Sequence, residues 1–521
     1  MKYRLGIDVG GTNTDAVIID EYDAIIAEHK TATTPDISMG VEDVIGKILA
    51  DSQVSPLDIK HVMLGTTHAT NAIIERKNLS RVGVIRISGP SGHGIPPFTA
   101  WPEDLSHVVS AGYSIVQGGY EYDGTPLALF DENEFYSAAS KVLDNGAEAL
   151  VLSCAFSPVN NEAERRAYEI LQEMTANNFP ITLSHEIGSI GLLERENAAI
   201  LNAAISTLTG QAYGLFNKSI KNNGIIAELF IAQNDGTLMS VEYAKKYPVL
   251  TIASGPTNSL RGAAFLSGIK DAVVVDIGGT TTDIGVLRNG FPRESNTTID
   301  LCGVRTNFRM PDLISIGLGG GSVVNTNTDP IQIGPQSVGF HIISKALIFG
   351  GSTITATDIA VKNGFIDLGS QTGKDFKFLS STDARQAGSV IRRMIENGID
   401  SIKTSAEDIP VILVGGGSII LQKELRGASK VITPEHFGVA NAIGAAIAQV
   451  SGNIDGIFDV TQKGREKVIE EIKEKAAAEA VKAGAERHSV TIVEIDEIPL
   501  AYLPSNAVRF RVKAVGDLKH H

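Results

Sequence analysis

The sequence is poor in cysteine and tryptophan: its 521 residues include only two cysteines, Cys154 and Cys302, and a single tryptophan, Trp101. Two cysteines cannot build a disulfide framework or a zinc site of cysteine ligands. Long apolar runs are also missing, since no uninterrupted stretch approaches the roughly 20 residues that span a bilayer. The N-terminus lacks the basic region and apolar core of a signal peptide. We therefore expect a cytoplasmic protein.

An excess of positive charge is absent as well. Asp and Glu number 60 against 45 Lys and Arg, which gives a formal net charge of −15. An acidic chain without a basic run has little electrostatic attraction for a nucleic acid or an anionic membrane surface. We therefore expect neither as a partner.

Apolar strands and amphipathic helices alternate along most of the sequence. The segments "AEALVLSCAF", "DAVVVDIGG" and "DIPVILVGGG" have the length and the Val, Ile and Leu content of buried strands. The segments "EFYSAASKVLDNG" and "STDARQAGSVIRRMIENG" have helical periodicity with Asn or Gly near their ends. This alternation predicts an α/β fold in which helices cover the sheets.

One pattern, Asp-x-Gly-Gly-Thr-x-Thr-Asp, occurs twice, beginning at Asp8 in "DVGGTNTD" and at Asp276 in "DIGGTTTD". Each copy follows a β-branched apolar run and predicts a strand, a glycine turn and a second strand. The glycines let backbone N–H groups approach an anion, and the threonine hydroxyls suit phosphate oxygens. An Asp at a strand end suits hydrated Mg²⁺. For either copy alone, a glycine-rich turn without a ligand is the alternative.

The duplication favours one site built from two sides. We expect the loops to face each other across a cleft and to hold the β- and γ-phosphates of ATP. Asp8 and Asp276 are then the catalytic carboxylates, and both bind Mg²⁺ through water. The predicted phosphate-binding residues are Gly10, Gly11, Thr12, Asn13, Thr14, Gly278, Gly279, Thr280, Thr281 and Thr282.

The duplication also divides the chain. Residues 1–205 form one predicted half, with an insertion near residues 89–129, and residues 206–455 form the other. From residue 456 the composition changes to a charged, Ala-rich helix followed by strand-like segments. Residues 456–521 are therefore predicted to form a small C-terminal α+β appendage of a helix plus strands.

A third glycine segment, "VILVGGGSII", runs from a buried strand into Gly415, Gly416, Gly417 and Ser418. Its flat backbone suits an adenine ring or a ribose, so these four residues are the predicted adenosine site. A strand followed by glycines is common in α/β proteins, and the segment is weak on its own. In the order loop, loop, adenosine segment, the sequence resembles the actin, sugar-kinase and heat-shock chaperone superfamily. That resemblance implies two ribonuclease-H-like (actin-like ATPase) domains around a nucleotide cleft.

Further motifs indicate which family of that superfamily the sequence resembles. "GTTHATNAIIER", "LSHEIGSIGLLERENAAILNA", "SIGLGGGSVV", "TITATD" and "GVANAIGAAIA" occur in an order that resembles the hydantoinase/5-oxoprolinase family, specifically its ATP-binding A subunit. The resemblance covers nearly the whole chain. One segment departs from it, because "FHIISKALIFGGS" stands where many members have a Pro-Gly-Pro-Ala-Cys-Tyr-Gly-like stretch.

The resemblance implies an ATP-dependent hydrolase that uses ATP and Mg²⁺. Such an enzyme phosphorylates the carbonyl oxygen of a cyclic amide, which is a hydantoin, 5-oxoproline or a related lactam, and so promotes ring opening. In the family a separate B subunit often takes part, and we expect an oligomer. Two alternatives stay open, because fold does not specify function: a small-molecule kinase and a chaperone- or reactivase-type ATPase.

The same motifs supply candidates for the substrate side of the cleft. Thr66, Thr67 and Asn71 are expected to contact substrate or phosphate; alternatively, the threonines cap a helix and Asn71 pairs with Glu75. The glycines of "GLGGGS", which are Gly319, Gly320 and Gly321, are expected to line the cleft.

Asp235, in "AQNDGTL", is the third catalytic candidate. Sugar kinases of the superfamily place an acidic base before the second phosphate loop, and Asp235 precedes Asp276 in this way. The alternative is structural, since Asn-Asp-Gly is a strong signal for a hairpin turn.

Overall fold

The computed structural model describes residues 2–33, 37–295, 298–368, 379–422, 424–461, 464–500 and 507–519. Strands and helices alternate through these residues, so the predicted α/β class is confirmed. Within the same ranges, no helix combines the length and the apolar character needed to cross a membrane.

Strands and helices are numbered separately along the chain. The strands are β1 (Tyr3–Val9), β2 (Asn13–Asp20), β3 (Ile25–Ala32), β4 (Ile59–Thr66), β5 (Val82–Gly89), β6 (Ser110–Gln117), β7 (Ala149–Cys154), β8 (Ile181–Leu183), β9 (Glu228–Ala232), β10 (Leu238–Ser240), β11 (Ala272–Ile277), β12 (Thr282–Arg288), β13 (Phe291–Pro292), β14 (Ile299–Leu301), β15 (Val304–Thr306), β16 (Leu313–Ile316), β17 (Ser322–Asn325), β18 (Gln332–Ser337), β19 (Ile409–Val414), β20 (Ala428–Ile432), β21 (Val450–Asp459), β22 (Thr491–Pro499) and β23 (Ala507–Gly516). The helices are α1 (Ile37–Ser52), α2 (His68–Glu75), α3 (Glu103–Val109), α4 (Glu132–Asp144), α5 (Glu162–Met174), α6 (Leu192–Asn222), α7 (Val241–Lys246), α8 (Ser254–Ser267), α9 (Ile342–Lys345), α10 (Ala356–Lys362), α11 (Ser381–Ile402), α12 (Ala440–Ala446) and α13 (Arg465–Lys482).

Two sheets share one central arrangement. In the first sheet, β1 pairs antiparallel with β2 and parallel with β4, and β9 continues beyond β4. In the second, β11 pairs antiparallel with β12 and parallel with β19, and β20 continues beyond β19. A further antiparallel strand lies outside β2 and β12, namely β3 in the first sheet and β13 or β16 in the second. This is the strand arrangement of a ribonuclease-H-like domain, so the predicted pair of such domains is confirmed.

The first sheet continues beyond β9 through β10, β21, β23 and β22. The segment predicted as a C-terminal appendage contains α13, β22 and β23, and its strands join the sheet at β21. Apolar side chains of α13 and β23, among them Ile472 and Phe510, are buried together in one cluster. The division of the chain at residues 205 and 455 stays a prediction.

A separate parallel sheet has the order β6-β5-β7-β8. Helices α4 and α5 contribute buried side chains such as Phe135 and Ile170 to its core. The insertion predicted near residues 89–129 contains α3 and β6 and is therefore part of this unit. Trp101 Nε1 donates a hydrogen bond to Asn197 Oδ1 at 2.8 Å, which ties the insertion to the long helix α6.

Helices α8 and α12 cross at unusually short distance. A Cβ on Gly262 of α8 would lie 1.9 Å from the carbonyl oxygen of Ala440, and a Cβ on Gly444 of α12 would lie 1.8 Å from that of Asn258. Glycine is therefore required at both positions. The close crossing carries the side chains of Asn258 and Asn441 to the end of β1.

Candidate functional site

The two repeated motifs fold into the same β-hairpin turn. In the first, the N–H of Gly10 donates to the carbonyl oxygen of Asn13 at 3.0 Å. In the second, the N–H of Gly278 donates to the carbonyl oxygen of Thr281 at 2.9 Å. Both turns connect the central strand of a sheet to its antiparallel neighbour, as the sequence predicts.

Each hairpin also places the first and last Asp of its motif side by side. Asp8 is opposite Asp15 in the register of β1 and β2, and Asp276 is opposite Asp283 in the register of β11 and β12. Two carboxylates thus stand together at the end of each central strand. Asp8 and Asp276 were predicted as site residues and Asp15 and Asp283 were not, although all four belong to the repeated pattern.

The two hairpins line one cavity of about 490 Å³, and the third glycine segment lines it too. The two hairpins lie close together, since a Cβ placed on Gly279 of the second would be 3.4 Å from Cγ2 of Thr12 in the first. The predicted residues that line this cavity are Gly10, Gly11, Thr12, Asn13, Asp276, Gly278, Gly279, Thr280, Thr281, Gly320, Gly415, Gly416 and Gly417. The structure therefore brings the predicted phosphate and adenosine segments together, while their ligand roles stay predictions.

Several predicted residues lie behind this surface. Thr14 and Thr282 are buried: Thr14 Oγ1 is 3.2 Å from Thr33 Oγ1, and Thr282 Oγ1 donates to the carbonyl oxygen of Leu318 at 2.6 Å. Ser418 is buried as well. These side chains support the loops from below.

The "GLGGGS" segment packs directly on the second hairpin. Gly320 N–H donates to the carbonyl oxygen of Gly278 at 3.0 Å, and Gly321 N–H donates to that of Gly279 at 2.8 Å. A Cβ on Gly319 would lie 2.5 Å from the backbone nitrogen of Thr280. Gly319 and Gly321 therefore shape the loop, whereas Gly320 also lines the cavity.

Asp8 is buried and held by two amides from distant parts of the chain. Asn441 Nδ2 donates to Asp8 Oδ2 at 2.9 Å and also to Asp15 Oδ2 at 2.9 Å. Asn258 Nδ2 donates to Asp8 Oδ1 at 3.4 Å. Burial and the Asp15 carboxylate raise the pKa of Asp8 to about 7. The amides orient Asp8 but add no positive charge beside it.

A lysine pairs with the second carboxylate of the first hairpin. Lys30 Nζ is 3.0 Å from Asp15 Oδ1 and donates to the carbonyl oxygen of Gly438 at 2.7 Å. Burial nevertheless raises the pKa of Asp15, although Lys30 opposes the shift. Lys30, Asp15 and Asn441 all line the cavity, and sequence reasoning missed all three. The signal for Asn441 was its position in "GVANAIGAAIA".

The second hairpin repeats this electrostatic pattern. Asp276 is partly buried, burial raises its pKa, and Ser259 opposes the shift through a hydrogen bond. Burial together with the neighbouring Asp276 raises the pKa of Asp283 to about 7. Both hairpins thus hold carboxylates whose negative charge is only partly compensated.

These carboxylates fit a hydrated divalent cation. A cation near Asp8 and Asp276 would favour their ionised forms and offset the burial that raises their pKa values. Among the described residues, no three His, Cys, Asp or Glu side chains are arranged to hold a metal together. Mg²⁺ takes few carboxylates and keeps several waters, so Asp8 and Asp276 suit it in type. The Mg²⁺ site stays a prediction.

Thr66 ends β4, Thr67 follows it and Asn71 lies in the first turn of α2, so these residues are near Asp8 and outside the cavity wall. Thr67 Oγ1 donates to the carbonyl oxygen of Val9 at 3.3 Å, and Asn71 Nδ2 donates to Thr67 Oγ1 at 3.3 Å. Thr67 is the N-cap of α2 by position, but its side chain makes no capping hydrogen bond. A Cβ on Gly255 would touch both Thr67 and Asp8, at 3.5 and 3.9 Å. A contact with substrate beside Asp8 stays a prediction.

Asp235 lies away from the cavity, in the turn between β9 and β10. Thr237 Oγ1 donates to Asp235 Oδ1 at 2.6 Å, and the buried Lys513 has its Nζ 2.9 Å from Asp235 Oδ2. Although burial raises it, Lys513 and Thr237 together hold the pKa of Asp235 below its usual value. A carboxylate with both oxygens occupied and a low pKa is a poor proton acceptor. These contacts favour the structural alternative, the hairpin turn, over the catalytic role.

Substitution of Gly415 by Ala is expected to lower ATP turnover by at least about tenfold. A Cβ at this position would lie 2.2 Å from Asp276 Oδ1 and 2.4 Å from the carbonyl oxygen of Ile277, and so would displace the carboxylate. The matched control is Gly464→Ala, since Gly464 has nearly the same φ (81° against 82°) with open space around it. Steady-state ATPase assays on both variants make the comparison; equal activities would contradict the role given to Asp276.

Two family models match the chain. One, described as the hydantoinase/oxoprolinase N-terminal region, matches residues 4–175, and the other, described as hydantoinase/oxoprolinase, matches residues 195–402. Together they cover well over half of the sequence. The chain belongs to the hydantoinase/oxoprolinase family. The predicted family is thus confirmed.

Individual members of the hydantoinase/oxoprolinase family show the extent of the similarity. The acetophenone carboxylase gamma subunit of Aromatoleum aromaticum is 27% identical over 438 residues, which are 77% of this chain and 58% of that protein. The caprolactamase subunit alpha of Pseudomonas jessenii is 24% identical over 471 residues, which are 85% of this chain and 66% of the relative. The chain therefore spans between about half and two thirds of the length of these relatives.

A solved structure shows that this fold is shared. The crystal structure of ATP-dependent caprolactamase from Pseudomonas jessenii has a TM-score of 0.79 at 18% identity, and the match covers 99% of this chain and 88% of that chain. At this identity the match establishes the fold alone.

Proposed function

We propose that the chain uses ATP to phosphorylate the carbonyl oxygen of a cyclic amide, such as a hydantoin, 5-oxoproline or a related lactam, and so promotes ring opening. The observation that carries the proposal is the meeting of both Asp-x-Gly-Gly-Thr hairpins and the Gly415–Gly417 backbone in one cavity. Similarity to a caprolactamase subunit supports a lactam as the substrate class.

The chemistry explains why ATP is needed. An amide carbonyl is a poor electrophile, and its oxygen is a poor leaving group. When that oxygen attacks the γ-phosphorus, the bond to the β,γ-bridging oxygen breaks and ADP leaves. Water then adds to the activated carbon, the C–N bond breaks with protonation of the nitrogen, and a second water converts the acyl phosphate to carboxylate and phosphate. The protein has to position the groups and neutralise charge in the first of these steps.

Roles follow from the positions of the residues. The backbone N–H groups of the two turns, with the hydroxyls of Thr12, Thr280 and Thr281, bind the phosphates, and the Gly415–Gly417 segment binds the adenosine. Asp8 and Asp276 would hold Mg²⁺ through water, and this ion would offset the negative charge of the transferring phosphoryl group. Asn441 and Asn258 keep Asp8 in position.

A second candidate is activation of a ketone for carboxylation. The similarity to an acetophenone carboxylase subunit favours it. The enol oxygen of a ketone can accept the γ-phosphoryl group as the amide oxygen does, with loss of the enol proton. The same cavity would serve, and the reactions would differ after the first step. In either case, a separate B-type subunit completes the reaction in our proposal.

A screen of ATP turnover tests the proposal. The purified chain, alone and with a B-type subunit, is assayed for ADP release with hydantoins, 5-oxoproline, caprolactam and simple ketones. We expect ADP release that depends on a cyclic amide, with free phosphate and the ring-opened acid as products. Phosphorus NMR distinguishes the alternatives: a stable phosphoester would indicate a kinase, and slow turnover independent of every compound would indicate a chaperone- or reactivase-type ATPase.

A further inference from the structure

Large apolar side chains stand exposed at the cavity that contains the two hairpins. Phe340, Ile343, Phe349 and Leu368 are 59%, 72%, 38% and 37% exposed, and all four line this cavity. We call these four residues the apolar wall. An exposed apolar patch inside a cavity is a feature of ligand sites, because hydration of such a surface is unfavourable until a ligand covers it.

The apolar wall is attached to the second hairpin. Val338 N–H donates to the carbonyl oxygen of Gly321 at 2.9 Å, and Gly321 N–H donates to that of Gly279 at 2.8 Å. A Cβ on Gly339 would lie 3.9 Å from Cγ2 of Thr280. Phe340 thus follows directly after a residue that lies close to the turn, and it lines the same cavity as Thr280.

The backbone behind the apolar wall is firmly held. The buried carboxylate of Asp358 accepts hydrogen bonds from the N–H groups of Ile348 at 2.7 Å, Leu347 at 3.3 Å and Thr355 at 2.7 Å. Leu347 and Ile348 point into the core, and Phe349 follows them on the exposed side. This buried anchor fixes the backbone next to Phe349, the member of the apolar wall that follows it directly.

We propose that the apolar wall binds the base of the nucleotide, with Phe340 and Ile343 covering a face of the purine ring. This inference rests on the proposed function, which puts the phosphates at the hairpins. A purine presents two apolar π faces, and an aromatic ring or a branched aliphatic side chain covers such a face well. The charged side chains that line the cavity are Asp15, Lys30 and Asp276, and they belong to the two hairpins or to β3 beside the first one. A nucleotide has the same division into an apolar base and a charged phosphate chain.

The segment 340–352 is also where the sequence departs from the pattern of many family members. Three members of the apolar wall, Phe340, Ile343 and Phe349, lie in this segment, whereas the glycines of the loops have no apolar side chains to offer a base. Gly415–Gly417 offers backbone to the base and ribose, and the apolar wall supplies side chains to the same ligand.

Binding measurements with and without the base test the inference. The double variant Phe340→Ala/Ile343→Ala is compared with wild type for binding of a non-hydrolysable ATP analogue and of inorganic tripolyphosphate, both with Mg²⁺, by calorimetry. We expect the analogue to bind more weakly by on the order of tenfold, the scale of a lost stacking contact, and tripolyphosphate to bind equally well. The matched control is Leu129→Ala/Ile226→Ala, which removes two side chains that are 79% and 84% exposed and lie outside the cavity.

The outcomes separate the inference from the proposed function. If wild type binds neither the analogue nor tripolyphosphate, the nucleotide site itself is wrong. If wild type binds the analogue and the double variant binds it equally well, the apolar wall has another occupant and the inference is overturned. An equal loss for both ligands would also overturn it, since that result would indicate damage to the hairpin. A more conservative variant, Phe340→Leu, keeps apolar contact and is expected to lose less affinity than Phe340→Ala.

Discussion

An Asp8→Asn variant is expected to lose ATP turnover by at least about two orders of magnitude while it stays folded. Asp8 lies buried at the end of β1, directly behind the hairpin turn that lines the cavity, and an amide cannot replace its carboxylate in holding a hydrated cation. Asp276→Asn, on the other hairpin, is expected to show a loss of the same order, because in our proposal both carboxylates hold one Mg²⁺ through water. Steady-state ADP release measures both, and full activity in either variant would contradict the proposed site.

Stability provides a second readout for the Asp8→Asn variant. The pKa of Asp8 is raised from 3.8 to about 7, so the folded state favours the protonated carboxyl. The protonated carboxyl therefore contributes stability at low pH, and this contribution is lost as pH rises from about 4 to about 7. The neutral Asn lacks this penalty. Without nucleotide, the Tm of Asp8→Asn at about pH 8 is expected to equal or exceed that of wild type. The difference in Tm between the two proteins is expected to be smaller at about pH 5. Asp408→Asn, on an exposed carboxylate, is the control and should change neither quantity.

The hairpins were predictable because their determinants are local. A β-branched strand, two glycines and a second strand specify the turn within eight residues, and both copies form it. Their meeting in one cavity was predictable from the duplication, since two equal halves around a cleft place equal loops on its two sides. The pairing of Asp8 with Asp15 follows from the hairpin register alone.

The residues that hold Asp8 in position were not predictable from local sequence. Asn258 and Asn441 are 250 and 433 positions away from Asp8, and they reach it only because α8 and α12 cross at Gly262 and Gly444. Periodicity indicates which face of a helix is apolar, but it does not indicate which distant strand that helix will meet. The glycines in "SLRGAAF" and "NAIGAAIA" are the features of the sequence that correspond to this helix crossing.

Asp235 is a residue for which sequence order suggested the wrong kind of contact. Its sequence position before the second motif suggested a base, whereas its partner Lys513 lies 278 residues further on, in β23. That ion pair exists only because the C-terminal strands join the first sheet, and sequence reasoning treated those strands as an appendage. An assignment made from order along the chain therefore missed a contact made across the sheet.

Lys513→Met is expected to be among the most destabilising substitutions in the chain, by about 3–5 kcal/mol. Lys513 is 2% exposed, and its ammonium lies 2.9 Å from Asp235 and 3.4 Å from Glu294. Met fills a similar volume but leaves the Asp235 carboxylate buried without its cation. The free-energy cost of that unpaired charge is larger than the net contribution of the ion pair to stability. Urea unfolding of the full chain at neutral pH measures the change.

The double variant Asp235→Asn/Lys513→Met separates the lost pair from a general packing defect. Removing the stranded charge is expected to recover part of the stability, while Glu294 keeps its partner Arg309 at 2.6 Å. Asp235→Asn alone decides the role of this residue. If Asp235 is structural, the folded variant keeps its turnover within about threefold; if it is a catalytic base, turnover falls by about a hundredfold or more with little change in Tm. The contacts of Asp235 with Thr237 and Lys513 lead us to expect the first result, because a carboxylate held by a hydroxyl and an ammonium has no free oxygen for a substrate proton.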